Sequence, residues 1–334
     1  MHPAGPGEAF YYMVRTTPKL RHQNPVYSEY FADPFVWKTG DTYYAIGTGE
    51  EEANGCRAST RAVLPVLRSA DFHHWEHAGK ALIRPDAALG ENFWAPAIAA
   101  AEGQFYLYYS VGHGDKNHQL RVAAAECPEG PYTDLDVALI NPDECSFAID
   151  PHPFQDEDGK WYMFFSRDFL DASGARRAGT ALAAAPMKSM TQLEGTPKEI
   201  LRAHADWQRF QADRLMYGRK WDWHTLEGPC VWRHEGRYYC FYSGGCWENE
   251  TYGVDYGIAE KVMGPYTDSG NESGPRVLMT QPARLRGPGH NTLVRGPDEE
   301  TTFIAYHAWD EAMRKRQMFL SELIWTPEGP RMME

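Results

Sequence analysis

Residues 148–166, AIDPHPFQDEDGKWYMFFS, contain the pattern that decides the fold. The stretch begins with an isolated carboxylate and a proline, Asp150-Pro151, passes through Asp158-Gly159, and ends in an aromatic run. An Asp-Gly pair between two apolar runs is typical of a β-hairpin turn. Because Asp and Glu are poor strand residues, a carboxylate at the start of a buried strand indicates a function rather than a requirement of folding.

The same plan recurs along the chain. Five aromatic runs follow turn residues: TYYAIGTG from Thr42, QFYLYYSVG from Gln104, KWYMFFS from Lys160, RYYCFYSGG from Arg237 and TFIAYHAW from Thr302. Repeats of this size, each with several antiparallel strands, match propeller blades better than the shorter repeats of solenoids. The sequence therefore predicts an all-β protein, a five-bladed β-propeller that spans residues 1–334 as a single domain.

Each predicted repeat begins with a residue of functional type. These leading residues are Asp33, Trp94, Asp150, Glu227 and His290. The innermost strand of each propeller blade lines the central axis, so residues at the starts of the repeats converge at one end of the channel. We therefore expect all five side chains to contribute to one pocket.

The longest interval between leading residues contains an insertion, at about residues 191–225, before the acidic motif of the fourth repeat. It has helix-compatible stretches and several aromatic residues. We interpret it as a wall of the active site. The alternative is a surface excursion that buries its own aromatic side chains.

Composition excludes several classes of function. The 46 acidic and 33 basic side chains give a formal charge of −13, which disfavours binding to nucleic acid or to anionic membranes. No window approaches the roughly 18 apolar residues of a membrane-spanning helix, and the N-terminal stretch lacks the features of a signal peptide. These observations predict a cytoplasmic protein, or a secreted one whose signal has been removed. The six cysteines form no CxxC pair and are expected to be buried thiols.

The acidic motifs indicate glycosidic bond cleavage. Two carboxylates that face each other across a pocket can act as proton donor and proton acceptor if their environments separate their pKa values. A third carboxylate beside the donor raises the pKa of that donor by like-charge repulsion. The structural alternative is that each acid caps a turn or pairs with an arginine, and its recurrence at the same place in three repeats argues against this.

Taken in order, the motifs resemble those of glycoside hydrolase family 43, five-bladed propeller enzymes that include arabinofuranosidases, arabinanases and β-xylosidases. The resemblance covers residues from about 24 to 325. It implies that Asp33, in an Asp-Pro motif, is the general base. Asp150, in an Ile-Asp-Pro motif, corresponds to the residue that modulates the pKa of the acid and orients the substrate. Glu227, in a Glu-Gly-Pro motif, corresponds to the general acid.

The resemblance and the local sequence also suggest substrate-binding residues. Trp94, in a Trp-Ala-Pro motif, is expected near the sugar, and Arg316 has the spacing of an arginine that recurs in relatives. His290, in a Gly-His motif, either lies beside an axial ion such as Ca²⁺, held through water, or is a hydrogen-bonded core histidine. Trp247 either stacks on sugar or packs in the core, and His224 either lines the pocket or is exposed. No cofactor is expected for the chemistry.

The implied reaction is inverting hydrolysis, in which Asp33 deprotonates a water and Glu227 protonates the departing oxygen. The expected substrates are pentose-containing oligosaccharides or polysaccharides, and the expected activity is release of terminal α-L-arabinofuranosyl residues from arabinan- or arabinoxylan-derived oligosaccharides. Relatives that cleave β-xylosides usually carry a second domain after the propeller, and this chain ends soon after the fifth repeat. A β-D-xylosidase, an endo-arabinanase and a carbohydrate-binding propeller without turnover are the alternatives.

Overall fold

The computed structural model describes residues 23–174, 176–270 and 272–333. The N-terminal stretch that lacks signal-peptide features lies outside the described residues. The chain is all-β, as predicted, and no helix in the described part is long and apolar enough to cross a membrane. One short helix, α1 (Glu50–Asn54), and two 3-10 turns, Ala87–Leu89 and Asp206–Gln208, interrupt the strands.

The strands follow one another along the whole described chain. They are β1 (Ala32–Thr39), β2 (Thr42–Thr48), β3 (Ala62–Ser69), β4 (Glu76–Ile83), β5 (Asn92–Ala101), β6 (Gln104–His113), β7 (Lys116–Ala125), β8 (Thr133–Ala138), β9 (Ala148–Gln155), β10 (Trp161–Phe169), β11 (Gly179–Ser189), β12 (Gln192–Leu193), β13 (Lys198–Leu201), β14 (Arg209–Met216), β15 (Arg219–His234), β16 (Arg237–Gly244), β17 (Gly253–Ala259), β18 (Arg286–Arg295), β19 (Thr302–Trp309), β20 (Arg316–Thr326) and β21 (Gly329–Met332).

Hydrogen bonding groups the described strands into four sheets. Three of them contain four antiparallel strands in chain order: β1 to β4, β5 to β8, and β18 to β21. The fourth has nine strands, with the path β17-β16-β15-β11-β10-β9. In that sheet β12 and β13 pair with β11, and β14 pairs with β15.

The nine-stranded sheet contains the third and fourth predicted repeats. A short parallel pairing joins them, with Gly179 opposite His224 and Thr180 opposite Thr225. Gly179 has a φ of 148°, and a Cβ atom there would lie 1.8 Å from the carbonyl oxygen of His224, so this approach requires glycine. The described strands therefore form four hydrogen-bonded sheets, and the count of five blades stays a prediction.

The predicted hairpin turns are confirmed. In each repeat the strand that contains the leading residue pairs antiparallel with the following aromatic strand. Glu102 and Gly103 have φ values of 54° and 79°, and Glu235 and Gly236 have φ values of 46° and 78°. Two successive residues with positive φ form the tight turn that matches the twist of a hairpin.

The apolar core lies between consecutive repeats rather than at one centre. Five clusters of buried side chains each join one repeat to the next, and the last joins the fifth repeat to the first. In that last cluster Phe72 meets Phe303 edge-on, with ring centroids 5.0 Å apart. Cys127 is exposed and the other five cysteines are buried, so the expectation of buried thiols holds except at Cys127.

Residues before β1 connect the beginning of the chain to its last repeat. The Asn24 side chain donates to the carbonyl oxygen of Leu320 at 2.7 Å and accepts from the Leu320 amide at 2.9 Å. The Phe31 amide donates to the Arg316 carbonyl oxygen at 2.7 Å. These bonds close the contact between the first and last sheets.

We expect Asn24→Ala to destabilise the fold. It removes two partly buried hydrogen bonds, each worth about 1 kcal/mol net, so the free energy of unfolding should fall by about 1 to 2 kcal/mol. Urea denaturation followed by circular dichroism measures this change. Asn24→Asp keeps an acceptor for the Leu320 amide and should lose less stability. Wild-type stability in Asn24→Ala would contradict the role of Asn24 in closing the structure.

Candidate active site

A break in the strand register occurs in each of the five strands that contain a leading residue. In every case a residue with positive φ lies at the break: Asp33 (51°), Ala95 (45°), Asp150 (58°), Gly228 (57°) and His290 (49°). Residues other than glycine adopt this conformation infrequently, and strained backbone of this kind clusters at functional sites. Bulges of this kind redirect side chains at the ends of sheets.

The breaks refine the predicted equivalence of the leading residues. Asp33, Asp150 and His290 are themselves the positive-φ residues, whereas Trp94 and Glu227 come one position earlier. The acids of the first and third repeats are therefore equivalent, and the fourth-repeat acid is offset by one residue. The sequence suggested a single shared position because a proline follows each acid at a distance of one or two residues.

Side chains from the second strand of a repeat hold the breaks of the next repeat. Thr48 Oγ1 accepts from the Ala95 amide at 2.9 Å, and Ser243 Oγ accepts from the His290 amide at 2.7 Å. Between the third and fourth repeats a carboxylate takes this role, because Asp150 Oδ2 accepts from the Gly228 amide at 2.8 Å. These bonds fix the positions of the leading residues relative to one another.

Asp33 lies in a buried, positively biased environment. Its Oδ2 accepts from Thr48 Oγ1 at 2.7 Å, while its Oδ1 lies 3.5 Å from Arg316 Nη1 and 3.5 Å from His290 Nδ1. The Asp33 amide donates to His307 Nδ1 at 3.1 Å. Burial opposes ionisation of Asp33, but the Arg316 guanidinium, His290 and His307 together outweigh it and hold the pKa of this carboxyl well below its usual range. Asp33 is therefore a carboxylate at neutral pH.

The pKa values of Glu227 and Asp150 are shifted in the opposite direction to that of Asp33. Burial raises the pKa of Glu227 to about 7, opposed by a hydrogen bond from Tyr252 and reinforced by the Asp33 charge. Burial, Glu227 and Asp33 together raise the pKa of Asp150 well above its usual value. Because two neighbouring carboxylates resist ionising together, this pair retains a proton near neutrality. The hydrogen bond from the Gly228 amide favours the ionised form of Asp150, and the one from Tyr252 favours the ionised form of Glu227.

A cavity of about 250 Å³ contains the three acids. Its lining residues are Tyr30, Asp33, Glu50, Ala53, Asn54, Trp94, Ile149, Asp150, Glu227, Trp247, His290, Trp309, Met313, Arg314 and Arg316. Seven of the eight site residues predicted from the sequence are in this set, and His224 is not.

Aromatic rings surround the guanidinium group of Arg316 at the cavity. The Arg316 guanidinium lies 4.6 Å from the centre of the Trp247 ring and donates to Tyr30 Oη at 2.8 Å. Trp247 in turn stacks on Trp309 at 6.3 Å. Such contacts hold the arginine in place beside Asp33. Trp247 therefore packs against a protein ring and also lines the cavity, and its stacking on sugar stays a prediction.

Trp94 and His224 lie in different surroundings. Trp94 is partly exposed to the cavity and stacks on His118, with ring centroids 3.8 Å apart. His224 is buried, and its Nε2 accepts from Arg177 Nη1 at 2.8 Å. Its Nδ1 donates to the Asp222 carbonyl oxygen at 3.1 Å. Both ring nitrogens of His224 are thus engaged by protein groups away from the cavity.

The insertion at residues 191–225 consists mainly of strands. The expectation of helix-compatible stretches is wrong there except for one three-residue 3-10 turn, because β14 and β15 form a long hairpin instead. Trp221 and Trp223 pack with Phe210 and Met216 in a separate small cluster. No residue of the insertion is among those that line the cavity.

Two residues that contact the acids, Tyr252 and His307, were not predicted from the sequence. Tyr252 Oη donates to Glu227 Oε1 at 2.7 Å, and His307 contacts both the amide and the carboxylate of Asp33. Tyr252 follows an aromatic strand and His307 lies within one, so both read as core residues. The one available signal was His307 itself, since the corresponding residues of the other aromatic strands are Thr or Ser.

The side chains near His290 bear on the axial ion expected there. Among the described residues, no three His, Cys, Asp or Glu side chains form a group that could hold a metal ion. Next to His290, both polar atoms of the Asn291 side chain are buried without a partner, and so is His307 Nε2. Such atoms suit ordered water. An ion near His290 that is held through water stays a prediction.

Comparison with known proteins identifies the family. The model of glycosyl hydrolases family 43 matches residues 22–330. The chain belongs to this family. The family 43 chain is 26% identical over 320 residues to an extracellular endo-α-(1→5)-L-arabinanase of Bacillus subtilis, covering 91% of this chain and 88% of the relative. It is 25% identical over 320 residues to an extracellular exo-α-(1→5)-L-arabinofuranosidase of Cellvibrio japonicus, covering 89% and 84%.

A solved structure supports the fold assignment. A thermostable family-43 glycoside hydrolase superposes on this family 43 chain with a TM-score of 0.79 at 26% identity, covering 94% of this chain and 96% of that one. The all-β architecture is therefore that of a glycoside hydrolase of the family. Family 43 enzymes require no cofactor for catalysis.

We expect Asp150→Asn to shift the pH dependence of the enzyme. The substitution removes a negative charge beside Glu227, so Glu227 should ionise at lower pH and the alkaline limb of activity should move down. The pH profile of kcat/KM on a nitrophenyl pentoside measures this. Asp168→Asn, at a half-buried carboxylate outside the cavity, is the matched control. An unchanged alkaline limb in Asp150→Asn would show that the two acids are not coupled.

Proposed function

We propose that this family 43 enzyme is an inverting hydrolase that removes terminal α-L-arabinofuranosyl residues from arabinan- or arabinoxylan-derived oligosaccharides. The observation that carries the proposal is that the pKa values of two carboxyl groups in one cavity are shifted in opposite directions. Asp33 is held ionised and Glu227 retains a proton near neutrality. A general base and a general acid need these two states at the same pH.

In the proposed mechanism Asp33 accepts a proton from water as that water attacks the anomeric carbon. Glu227 donates its proton to the glycosidic oxygen as the bond to the leaving sugar breaks. Asp150 keeps Glu227 protonated before the reaction and accepts a hydrogen bond from a sugar hydroxyl. Arg316 fixes the Asp33 carboxylate, to which it lies at 3.5 Å.

The shape of the cavity supports action at chain ends. Besides the three acids, the cavity is lined by Tyr30, by three residues of the helix α1, and by Trp309, Met313 and Arg314. A pocket walled in this way accommodates a terminal sugar better than the middle of a chain. Trp94 and Trp247 provide ring faces for sugar contact, and His290 a polar group on the floor.

Relatives favour arabinose-containing substrates. The exo-acting relative of Cellvibrio japonicus and a second one of Streptomyces avermitilis, at 24% identity, are both named arabinofuranosidases. The Bacillus subtilis relative is named an endo-arabinanase, which keeps endo action on arabinan as the second candidate. All three are named extracellular, which favours secretion over the cytoplasmic location expected from the sequence.

We also propose that the described sheets form five blades. The five core clusters, one between each pair of consecutive repeats, support this count. So do the five register breaks with positive φ. In this arrangement the nine-stranded sheet consists of the third and fourth blades, joined by the pairing at Gly179.

Asp33→Asn and Glu227→Gln should each remove most of the activity while leaving the fold intact. General acid or base catalysis contributes roughly 100- to 10,000-fold to rate, so losses in that range are expected. Hydrolysis rates and circular dichroism spectra of each variant test this. Substantial turnover in either variant would contradict its assigned role, and carbohydrate binding without turnover by the wild type would identify a carbohydrate-binding propeller.

Substrate preference can be measured directly. We expect faster hydrolysis of nitrophenyl α-L-arabinofuranoside than of nitrophenyl β-D-xyloside, and slow release of single sugars from linear arabinan. The anomer formed first, followed by NMR, should be inverted relative to the substrate. A preference for the xyloside would identify a β-xylosidase, and rapid formation of mid-length arabinan fragments would identify an endo-arabinanase.

A further inference from the structure

We propose that Tyr252 is a positioning residue for catalysis, which orients the Glu227 carboxyl group for proton donation and tunes its acidity from a ring that rests on His307. The inference rests on the proposed function, in which Glu227 is the general acid. It adds a fourth side chain to the machinery, one that acts through Glu227 rather than on the sugar.

The position of Tyr252 is strongly constrained. It precedes β17, is 1% exposed, and its Oη donates to Glu227 Oε1 at 2.7 Å. Gly289 leaves room for the ring, since a Cβ atom at that position would lie 1.9 Å from Tyr252 Cε1. Burial and the neighbouring Glu227 raise the pKa of Tyr252 well above its usual value, so the phenol remains a hydrogen-bond donor.

The same ring connects the acid with the base. Tyr252 stacks on His307 at 5.8 Å with nearly parallel planes, at 11°. His307 Nδ1 accepts from the Asp33 amide at 3.1 Å. Two buried rings thus lie between the contacts to Glu227 and to Asp33. Inverting hydrolysis depends on a fixed separation between acid and base, because a water must fit beside the sugar, and this pair of rings is suited to maintain it.

The direction of the hydrogen bond has a chemical consequence. Because Glu227 Oε1 accepts from Tyr252, the transferable proton of Glu227 lies on Oε2. When that proton moves to the leaving oxygen, the new carboxylate keeps the bond from Tyr252 at Oε1. A hydrogen bond to a charged acceptor is stronger than one to a neutral acceptor, so this bond stabilises the transition state more than the ground state.

Other charged and titratable groups also face Glu227, from several elements. They are Asp33 in β1, Asp150 in β9, Arg214 in β14, Arg316 in β20, and Cys246 in the segment after β16. The two acids disfavour ionisation of Glu227 and the two arginines favour it. Tyr252 differs from all of them because it touches the carboxyl group through a direct hydrogen bond.

The decisive variant is Tyr252→Phe, which removes the hydroxyl and keeps the ring. We expect kcat to fall about ten-fold or more on an arabino-oligosaccharide, whose leaving group needs protonation. The fall should be much smaller on a dinitrophenyl arabinofuranoside, whose leaving group does not. The alkaline limb of the kcat profile should move up by about one pH unit, because the ionised form of Glu227 has lost a donor.

Tyr256→Phe is the matched control. Tyr256 is a buried tyrosine of β17 whose hydroxyl donates to the Glu328 carbonyl oxygen at 3.3 Å, away from the cavity. It should leave both the pH profile and the ratio of rates on the two substrates unchanged. Titration of the Glu227 carboxyl carbon by NMR, assigned by comparison with Glu227→Gln, gives the acidity directly even if turnover of Tyr252→Phe is too slow to profile.

The proposal would be overturned by an unshifted alkaline limb and carboxyl titration in a folded Tyr252→Phe. It would equally be overturned by equal losses on both substrates, because that outcome indicates a structural role alone. The outcome is separable from the proposed function: if Glu227→Gln is inactive while Tyr252→Phe titrates like the wild type, the acid assignment stands and the role of Tyr252 is wrong.

Discussion

The positive-φ residue in each strand that contains a leading residue is the constraint on which the rest of the structure depends. It breaks the strand register and exposes an amide that needs a partner. Thr48, Ser243 and His307 supply that partner to the next repeat, the last of them across the junction between the end and the beginning of the chain. One local backbone feature thus links the repeats and also places the leading side chains around a common cavity.

Grouping three carboxyl groups in a buried cavity is energetically unfavourable, and the protein compensates unequally. Arg316 stabilises Asp33 as a carboxylate, and its own side chain is held by Trp247 and Tyr30. Glu227 and Asp150 lack such a close cation, so burial and mutual repulsion dominate. The different pKa shifts of Asp33 and Glu227 therefore follow in large part from the position of Arg316 beside Asp33.

Much of this arrangement could be predicted from the sequence, because it depends on local signals. The turns, the aromatic strands and the acids at Asp33, Asp150 and Glu227 are all visible in short motifs. The offset of Glu227 by one residue was not, since φ depends on how the strands pair. Tyr252 could not be recognised either, because an aromatic residue near a strand is usually part of the core. His224 carried no signal that its partner would be Arg177.

His307 contributes both to the contact between the last and first repeats and to the surroundings of the carboxyl groups in the cavity. At the corresponding place the other repeats have Thr48, Ser110, Ser166 and Ser243, of which Thr48 and Ser243 accept from a backbone amide of the next repeat. An imidazole reaches further: it accepts from the Asp33 amide and also presents a face to Tyr252. A hydroxyl there could satisfy the amide but could not support the ring beneath the acid. The junction between the last and first repeats therefore holds both the contact between the ends of the chain and the relative positions of Asp33 and Glu227. Loosening this junction should displace Asp33 before Glu227, because His307 contacts Asp33 directly and reaches Glu227 only through Tyr252.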